Sequence, residues 1–140
     1  MTNLLSLPAF ASQSDVHVVV ETPRHVQAKF KYEPELGVFM PSRALTLGLS
    51  YPYDWGFVPS TEAPDGDPLD ALVPHQITAS PGDTRDVRDL PASLLHQGAK
   101  FFTAATAGTG KRLKFLGWRD PRAALAAIRK AQRAFERSAS

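Results

Sequence analysis

At 140 residues the chain is long enough for one domain with its own core, and residues 1–140 are read as a single domain. The absence of cysteine excludes disulfide frameworks and thiolate metal sites. No stretch approaches the roughly 18 apolar residues of a membrane span, and residues 1–14 lack the basic start and apolar run of a signal peptide, so a soluble, cytoplasmic chain without a membrane partner is expected. The net charge of +2 conceals an asymmetry: residues 1–110 carry 7 basic and 12 acidic side chains, residues 111–140 carry 9 and 2.

In chain order, residues 1–14 are expected to be a loosely held arm. Asp15 to Glu21 is the first expected strand, because its valines favour a pleated surface, and Pro23 ends it. Ala28-Lys29-Phe30-Lys31-Tyr32-Glu33 alternates with period 2, which places Lys29, Lys31 and Glu33 on one strand face. Taken alone, that face reads as a solvated ion-pair surface. Leu36-Gly37 is a turn and Val38-Phe39-Met40 a strand pairing back, a hairpin that brings Arg43 toward the side of Lys31. Leu45, Leu47 and Leu49 alternate and predict a further strand leading into Tyr51.

The densest chemistry follows in Asp65-Gly66-Asp67-Pro68-Leu69-Asp70, where three carboxylates fall within six residues. Gly66 permits a sharp turn, and Pro68 fixes its own φ and biases Asp67 toward an extended conformation. A solvated Asp-Gly turn would have this composition. An EF-hand loop fits poorly, since Leu69 and Gln76 stand where that pattern needs its fifth and twelfth ligands. Mutual repulsion of the three carboxylates would be relieved by a hard divalent cation, and oxygen-only donors suit Mg²⁺ or Mn²⁺. Ala71-Leu72-Val73 then opens a buried strand.

Ser80-Pro81-Gly82-Asp83-Thr84 is a turn cluster, with Asp86, Arg88 and Asp89 solvated beyond it. Leu94, Leu95, Ala99 and Phe102 fall at helical spacing, Thr103 to Gly110 reads as a small-residue loop, and Arg112 to Trp118 alternates as a final strand. Asp120 is an expected N-cap with Pro121 at the first helical position, and the helix runs to about Arg137 on an apolar face of Leu125, Ile128, Ala131 and Phe135. Arg122, Arg129, Arg133 and Arg137 lie opposite. Without interleaved aromatics they read as a solvated outer face rather than a nucleic-acid surface.

From about Val18 to Pro74 the sequence resembles the family I soluble inorganic pyrophosphatases. The resemblance is carried by Val18-Val19-Val20-Glu21-Thr22-Pro23, Lys31-Tyr32-Glu33, Arg43, the segment Tyr51-Pro52-Tyr53-Asp54-Trp55-Gly56-Phe57-Val58-Pro59 and the Asp65 to Asp70 run. It implies an α+β fold: a small OB-like β-barrel or open sheet with one or two packed helices, including a C-terminal helix. It also implies Mg²⁺-dependent hydrolysis of inorganic pyrophosphate to two phosphates by metal-activated water. By position, Asp65, Asp70 and Glu33 match metal-associated carboxylates, Asp67 the proton acceptor and Glu21 a supporting carboxylate. Lys31, Arg43 and Tyr51 match phosphate-binding residues, and Trp55 stands where the family has a second tyrosine of the site. Between Pro81-Gly82 and Asp86 the family carries several tens of further residues, with more metal and phosphate ligands; its Tyr-Lys pair after Phe101-Phe102 is likewise replaced, here by Thr103-Ala104. The alternative is therefore a catalytically inactive metal- or phosphate-binding or regulatory module on the same scaffold. Sheet edges exposed by the shortening favour a homo-oligomer.

Overall fold

The computed structural model describes residues 2–45, 48–74, 85–107 and 114–140. Its strands are β1 (Val19–Thr22), β2 (Ala28–Glu33), β3 (Val38–Ala44), β4 (Asp54–Val58) and β5 (Leu69–Val73), followed by the helices α1 (Ala92–Thr106) and α2 (Pro121–Ala139). All pairings are antiparallel: β1-β4-β5 make one sheet and β2-β3 another. The α+β class is the one expected, with open sheets rather than a closed barrel among the described residues.

β4 is the middle strand of its sheet, and its Gly56, Phe57 and Val58 are buried. Gly56 is required by the close approach of β1, since a Cβ there would stand 1.8 Å from the Val19 carbonyl oxygen. Burial on both faces also hides β4 in the sequence, because period-2 alternation marks only a half-buried strand.

β1 and β2 belong to different sheets and are clipped together by side chains. The fully buried Thr22 hydroxyl donates to the Phe30 carbonyl (3.2 Å) and accepts from the Phe30 N–H (3.0 Å). Next to it, Glu21 Oε2 accepts from the Tyr32 N–H at 2.7 Å. Pro41 of β3 stands opposite Phe30 and has no N–H to give. Because the polar backbone groups of Phe30 are committed to Thr22, Pro41 costs that hairpin no ladder bond.

The N-terminal arm is docked, contrary to the sequence expectation. Leu4, Leu5 and Leu7 pack on the buried cluster of Val19, Tyr32 and Phe57, while Ala9 is buried with Val58 and Ile128. Ser60 holds the arm through N–H to Leu5 O (2.8 Å) and Oγ to Leu7 O (2.7 Å). The arm's apolar residues bury their surface here, a gain of about 25 cal/mol per Å² that offsets the entropy of ordering it. The first strand accordingly begins at Val19 rather than Asp15, with Val16 making only an isolated bridge to Phe10.

α1 extends through Thr103–Thr106, where a loop was expected. The hydroxyls of Thr103 and Thr106 bond back to Ala99 O (3.0 Å) and Phe102 O (2.8 Å), and the aromatic face of the helix packs on the residues around β4. Phe101 lies 4.6 Å from the Tyr51 ring and Phe102 5.1 Å from that of Trp55. Gly98 makes room for Tyr53, whose Cε2 would lie 2.8 Å from an added Cβ.

α2 begins where its cap predicts, with Asp120 Oδ1 accepting from Ala123 N at 2.9 Å, and it buries Ile128 and Ala131. Arg122, Arg133 and Arg137 are exposed, whereas the Arg129 guanidinium stands 5.7 Å over the Phe10 ring of the arm. Asp86 is not simply solvated: it pairs with Arg88 at 2.6 Å. Lys114 to Trp118 is not a strand, and Leu45 and Leu49 lie outside any strand. Leu47, the Ser80–Thr84 turn, residues 108–110 of the expected loop, and Arg112 and Leu113 fall outside the described residues.

Replacing Thr22 by valine keeps the shape but strands the Phe30 N–H and C=O in a buried position. We expect Thr22→Val to lower unfolding free energy by about 2 kcal/mol in urea titrations. An unchanged midpoint would mean that the clip contributes nothing.

Candidate active site

The Asp65–Asp70 turn is held from within. Gly66 adopts a φ of 88°, the left-handed region that glycine enters without a Cβ penalty. Its N–H bonds to Ala63 O (2.9 Å), Ala63 N–H bonds to Asp67 O (2.8 Å), and Asp65 Oδ1 accepts from Asp67 N at 3.1 Å. The exit is fixed by the buried Thr61 hydroxyl, which donates to Val58 O (2.5 Å) and accepts from Leu69 N (3.0 Å). The turn is thereby tied to the end of β4, and Asp70 is set on β5 opposite Phe57.

Facing the turn is β2, whose alternation presents Lys29 and Lys31. Together they enclose a cleft of about 320 Å³ lined by Glu21, Lys29, Lys31, Asp65, Asp67 and Asp70, with Leu5, Tyr32, Trp55 and Phe57 among its apolar walls. The structure thus brings six of the nine sequence-derived candidates to one cleft: Asp67, Lys31, Trp55, Asp65, Asp70 and Glu21. Tyr51 is buried beside it, 6.3 Å from Trp55, and feels the charges of Arg43, Asp70 and Glu21. Arg43 stands opposite Lys29 in the hairpin register. Glu33 is not among the cleft-lining residues, and its carboxylate accepts from Glu35 N at 3.1 Å at the far end of the hairpin.

Lys29 was not singled out from the sequence, although its place two residues before Lys31 on one strand face was the available signal. Leu5 was missed because nothing local shows that the arm folds back.

The electrostatics follow from crowding like charges into a partly desolvated space. Asp70 keeps solvent-exposed surface, but burial of its carboxyl raises the pKa to about 6, with Glu21, Asp65 and Asp67 adding to the rise and Lys29 opposing it. Glu21 is also raised, chiefly by burial; the Tyr32 N–H, Lys31 and Lys29 pull it down and Asp67 pushes it up. Burial likewise raises the Tyr51 phenol, against the pull of Arg43.

Among the described residues, no group of three or more carboxylate or imidazole side chains forms a ready-made metal cage. Oxygen donors on one cleft wall suit a hard cation. The lack of a cage suits one that keeps most of its waters, as Mg²⁺ does when held by one or two carboxylates and phosphate oxygens. The donors present therefore fit a hydrated hard cation of this kind.

Residues 18–88, which span all five strands, match the family model described as inorganic pyrophosphatase. The chain belongs to the inorganic pyrophosphatase family. It is 35% identical to the inorganic pyrophosphatase of Thermus thermophilus, over 92% of this chain and 95% of that protein, and 29% identical to that of Synechocystis, over 88% and 93%. The crystal structure of the Thermus thermophilus inorganic pyrophosphatase superposes with a TM-score of 0.84 at 31% identity, covering 96% of this chain and 99% of that one. The inorganic pyrophosphatase structure from Coxiella burnetii gives 0.81 at 26% identity, over 92% and 99%. The Thermus sequence alignment runs over 167 positions, more than the 140 residues of this chain, so that relative carries residues with no counterpart here.

The raised Asp70 pKa fixes a pH dependence. The folded value of about 6 lies above the 3.8 of the free side chain, so the native state binds the extra proton between them. Its contribution to stability is complete below about pH 4 and is lost as pH rises through about 6. In metal-free buffer the urea midpoint of the native chain should fall across that window more than that of Asp70→Asn. Equal slopes would show that Asp70 ionises as a free carboxyl.

Proposed function

We propose that this chain hydrolyses inorganic pyrophosphate to two phosphates in the cleft between β2 and the Asp65–Asp70 turn. The observation that carries this reading is the meeting of Glu21, Asp65, Asp67 and Asp70 with Lys29 and Lys31 in one small cleft, in a chain of this family. Lys31 and Arg43, joined by Lys29, hold phosphate oxygens by charge-assisted hydrogen bonds, and the Arg fork adds geometric specificity. Tyr51 and Trp55 form the aromatic wall that orients the substrate, although Trp55 has no phenolic hydroxyl to donate. Asp65 and Asp70 hold Mg²⁺, with Mn²⁺ able to replace it and Glu33 assigned as an outlying metal-associated carboxylate. When bound, the cation supplies charge neutralisation on the phosphates and acidifies water. Asp67 accepts the proton of the attacking water as its oxygen bonds to one phosphorus and the bridging P–O bond breaks. Glu21 supports the site by fixing β2 through the Tyr32 N–H.

A second reading has its own support: the gapped alignment with the Thermus relative and, among the described residues, the lack of a three-carboxylate cage favour a scaffold that binds metal or phosphate with little or no turnover. We also assign the chain to the cytoplasm and to a homo-oligomer. Self-association is supported by the strand β3, where Val38, Phe39 and Met40 are each more than 40% exposed.

Phosphate release from pyrophosphate at saturating Mg²⁺ separates the two readings. We expect turnover by the native chain and a loss of at least about 100-fold in Asp67→Asn, the scale of removing a general base. A folded native preparation that releases no more phosphate than the variant would overturn hydrolysis and leave the binding module.

A further inference from the structure

A second cleft, of about 460 Å³, lies where three segments meet: Arg24 and His25 follow β1, Ser50 precedes β4, and Gln97 and Lys100 come from α1. Among the described residues it shares no lining residue with the cleft between β2 and the Asp65–Asp70 turn. Its composition also differs. The β2 cleft mixes four carboxylates with two lysines, whereas the described lining here holds Arg24, Lys100 and the His25 imidazole and no carboxylate.

The fold builds this cleft deliberately from each side. Leu94, Gln97, Phe101 and Ala104 recur at spacings of three and four, so one face of α1 is turned to it. The buried Phe101 ring, 4.6 Å from that of the buried Tyr51, makes the apolar floor, and Lys100 stands exposed beside it. On the opposite segment His25 has a φ of 73°, a left-handed conformation unfavourable for a residue with a Cβ. Two backbone bonds hold it there: His25 N–H to Tyr51 O (2.8 Å) and Tyr51 N–H to Val26 O (3.1 Å). The loop that takes this turn brings Arg24 and His25 together to the cleft.

Such a set of donors fits one kind of ligand. The Arg fork gives two parallel hydrogen bonds and the Lys ammonium a compact charge, while the Ser50 hydroxyl, the Gln97 amide and the imidazole add neutral donors. A phosphate group has acceptor oxygens enough for all of them. The volume is that of a small-molecule site, and Leu49, Pro52 and Leu94 offer apolar surface to the body of an organic phosphate. We propose that this cleft is a second anion site, which binds a phosphate group, free or as a phosphomonoester, at Arg24 and Lys100 without a metal ion.

The test is calorimetric titration of the full chain with adenosine monophosphate, inorganic phosphate and adenosine, in low-salt buffer containing a chelator. Adenosine monophosphate should bind and adenosine should not. Arg24→Gln and Lys100→Gln should each weaken binding about five- to tenfold, the scale of losing one charge-assisted hydrogen bond at an accessible site. Lys31→Gln, altered in the other cleft, should bind as the native chain does. A nucleotide affinity above that of inorganic phosphate assigns the site to organic esters, and equal affinities assign it to the free anion; both support a phosphate site. Lys100 is exposed on its helix, and thermal melts of both variants check that folding is kept. Binding lost in Lys31→Gln and kept in Arg24→Gln and Lys100→Gln would put the anion in the β2 cleft and overturn the proposal, as would adenosine binding equal to that of its phosphate, or no binding of either phosphate compound. Hydrolysis of pyrophosphate is not measured here, so none of these results depends on it.

Discussion

Two adjacent side chains at the end of β1 decide where everything else stands. The hydroxyl of Thr22 and the carboxylate of Glu21 occupy the backbone groups of Phe30 and Tyr32, and by doing so they join two sheets that share no strand ladder. The consequence reaches the cleft directly. Lys29 and Lys31 of β2 are turned toward the acidic turn, Tyr32 is turned into the core, and Pro41 can sit opposite Phe30. A polar contact of this kind is worth little net free energy when made, but leaving either partner buried and unmade costs the full desolvation penalty. It therefore specifies the relative placement of the sheets more than it stabilises them.

Around this joint the cleft is walled by elements far apart in sequence. The arm contributes Leu5, β4 contributes Trp55 and Phe57, and the turn is anchored to β4 by the Thr61 hydroxyl. α1 stands behind the aromatic wall, with Phe101 against Tyr51 and Phe102 against Trp55. α2 supports the frame by burying Ile128 against Ala9 and Val58 and accepting the Glu62 N–H at Ala131 O (2.9 Å). The charged face of the cleft thus rests on an apolar and aromatic frame in which long stretches of the chain take part. This is the condition under which short side chains such as Asp can be held in one arrangement.

What was legible in the sequence was local. The Asp65–Asp70 turn, the lysine-bearing strand and the capped C-terminal helix each carry their signal within a few residues, through glycine, alternation, and an Asp-Pro start followed by helical periodicity. What was hidden depended on contacts across the chain. The arm gives no period, yet it packs because Leu4, Leu5, Leu7 and Ala9 find apolar surface on β1, β4 and α2. β4 carries no period-2 signal of its own, because Gly56, Phe57 and Val58 are buried in succession. α1 runs through small residues and threonines whose hydroxyls bond back to the helix, a choice that local propensity does not make. Within the site, alternation alone could not say which members of the Lys29, Lys31 and Glu33 face reach the cleft. The strand's angle to the turn decides that: Lys29 and Lys31 arrive, and Glu33 remains by Glu35.

The paired hydrogen bonds between Thr22 and Phe30 also have a dynamic signature. Amide hydrogens usually owe slow exchange to a neighbouring strand, but the Phe30 N–H is held by a buried side chain, so its exchange reports the opening of the joint between the sheets rather than the unzipping of either one. A single backbone proton thereby becomes a gauge of the joint that holds the lysine-bearing wall against the carboxylates.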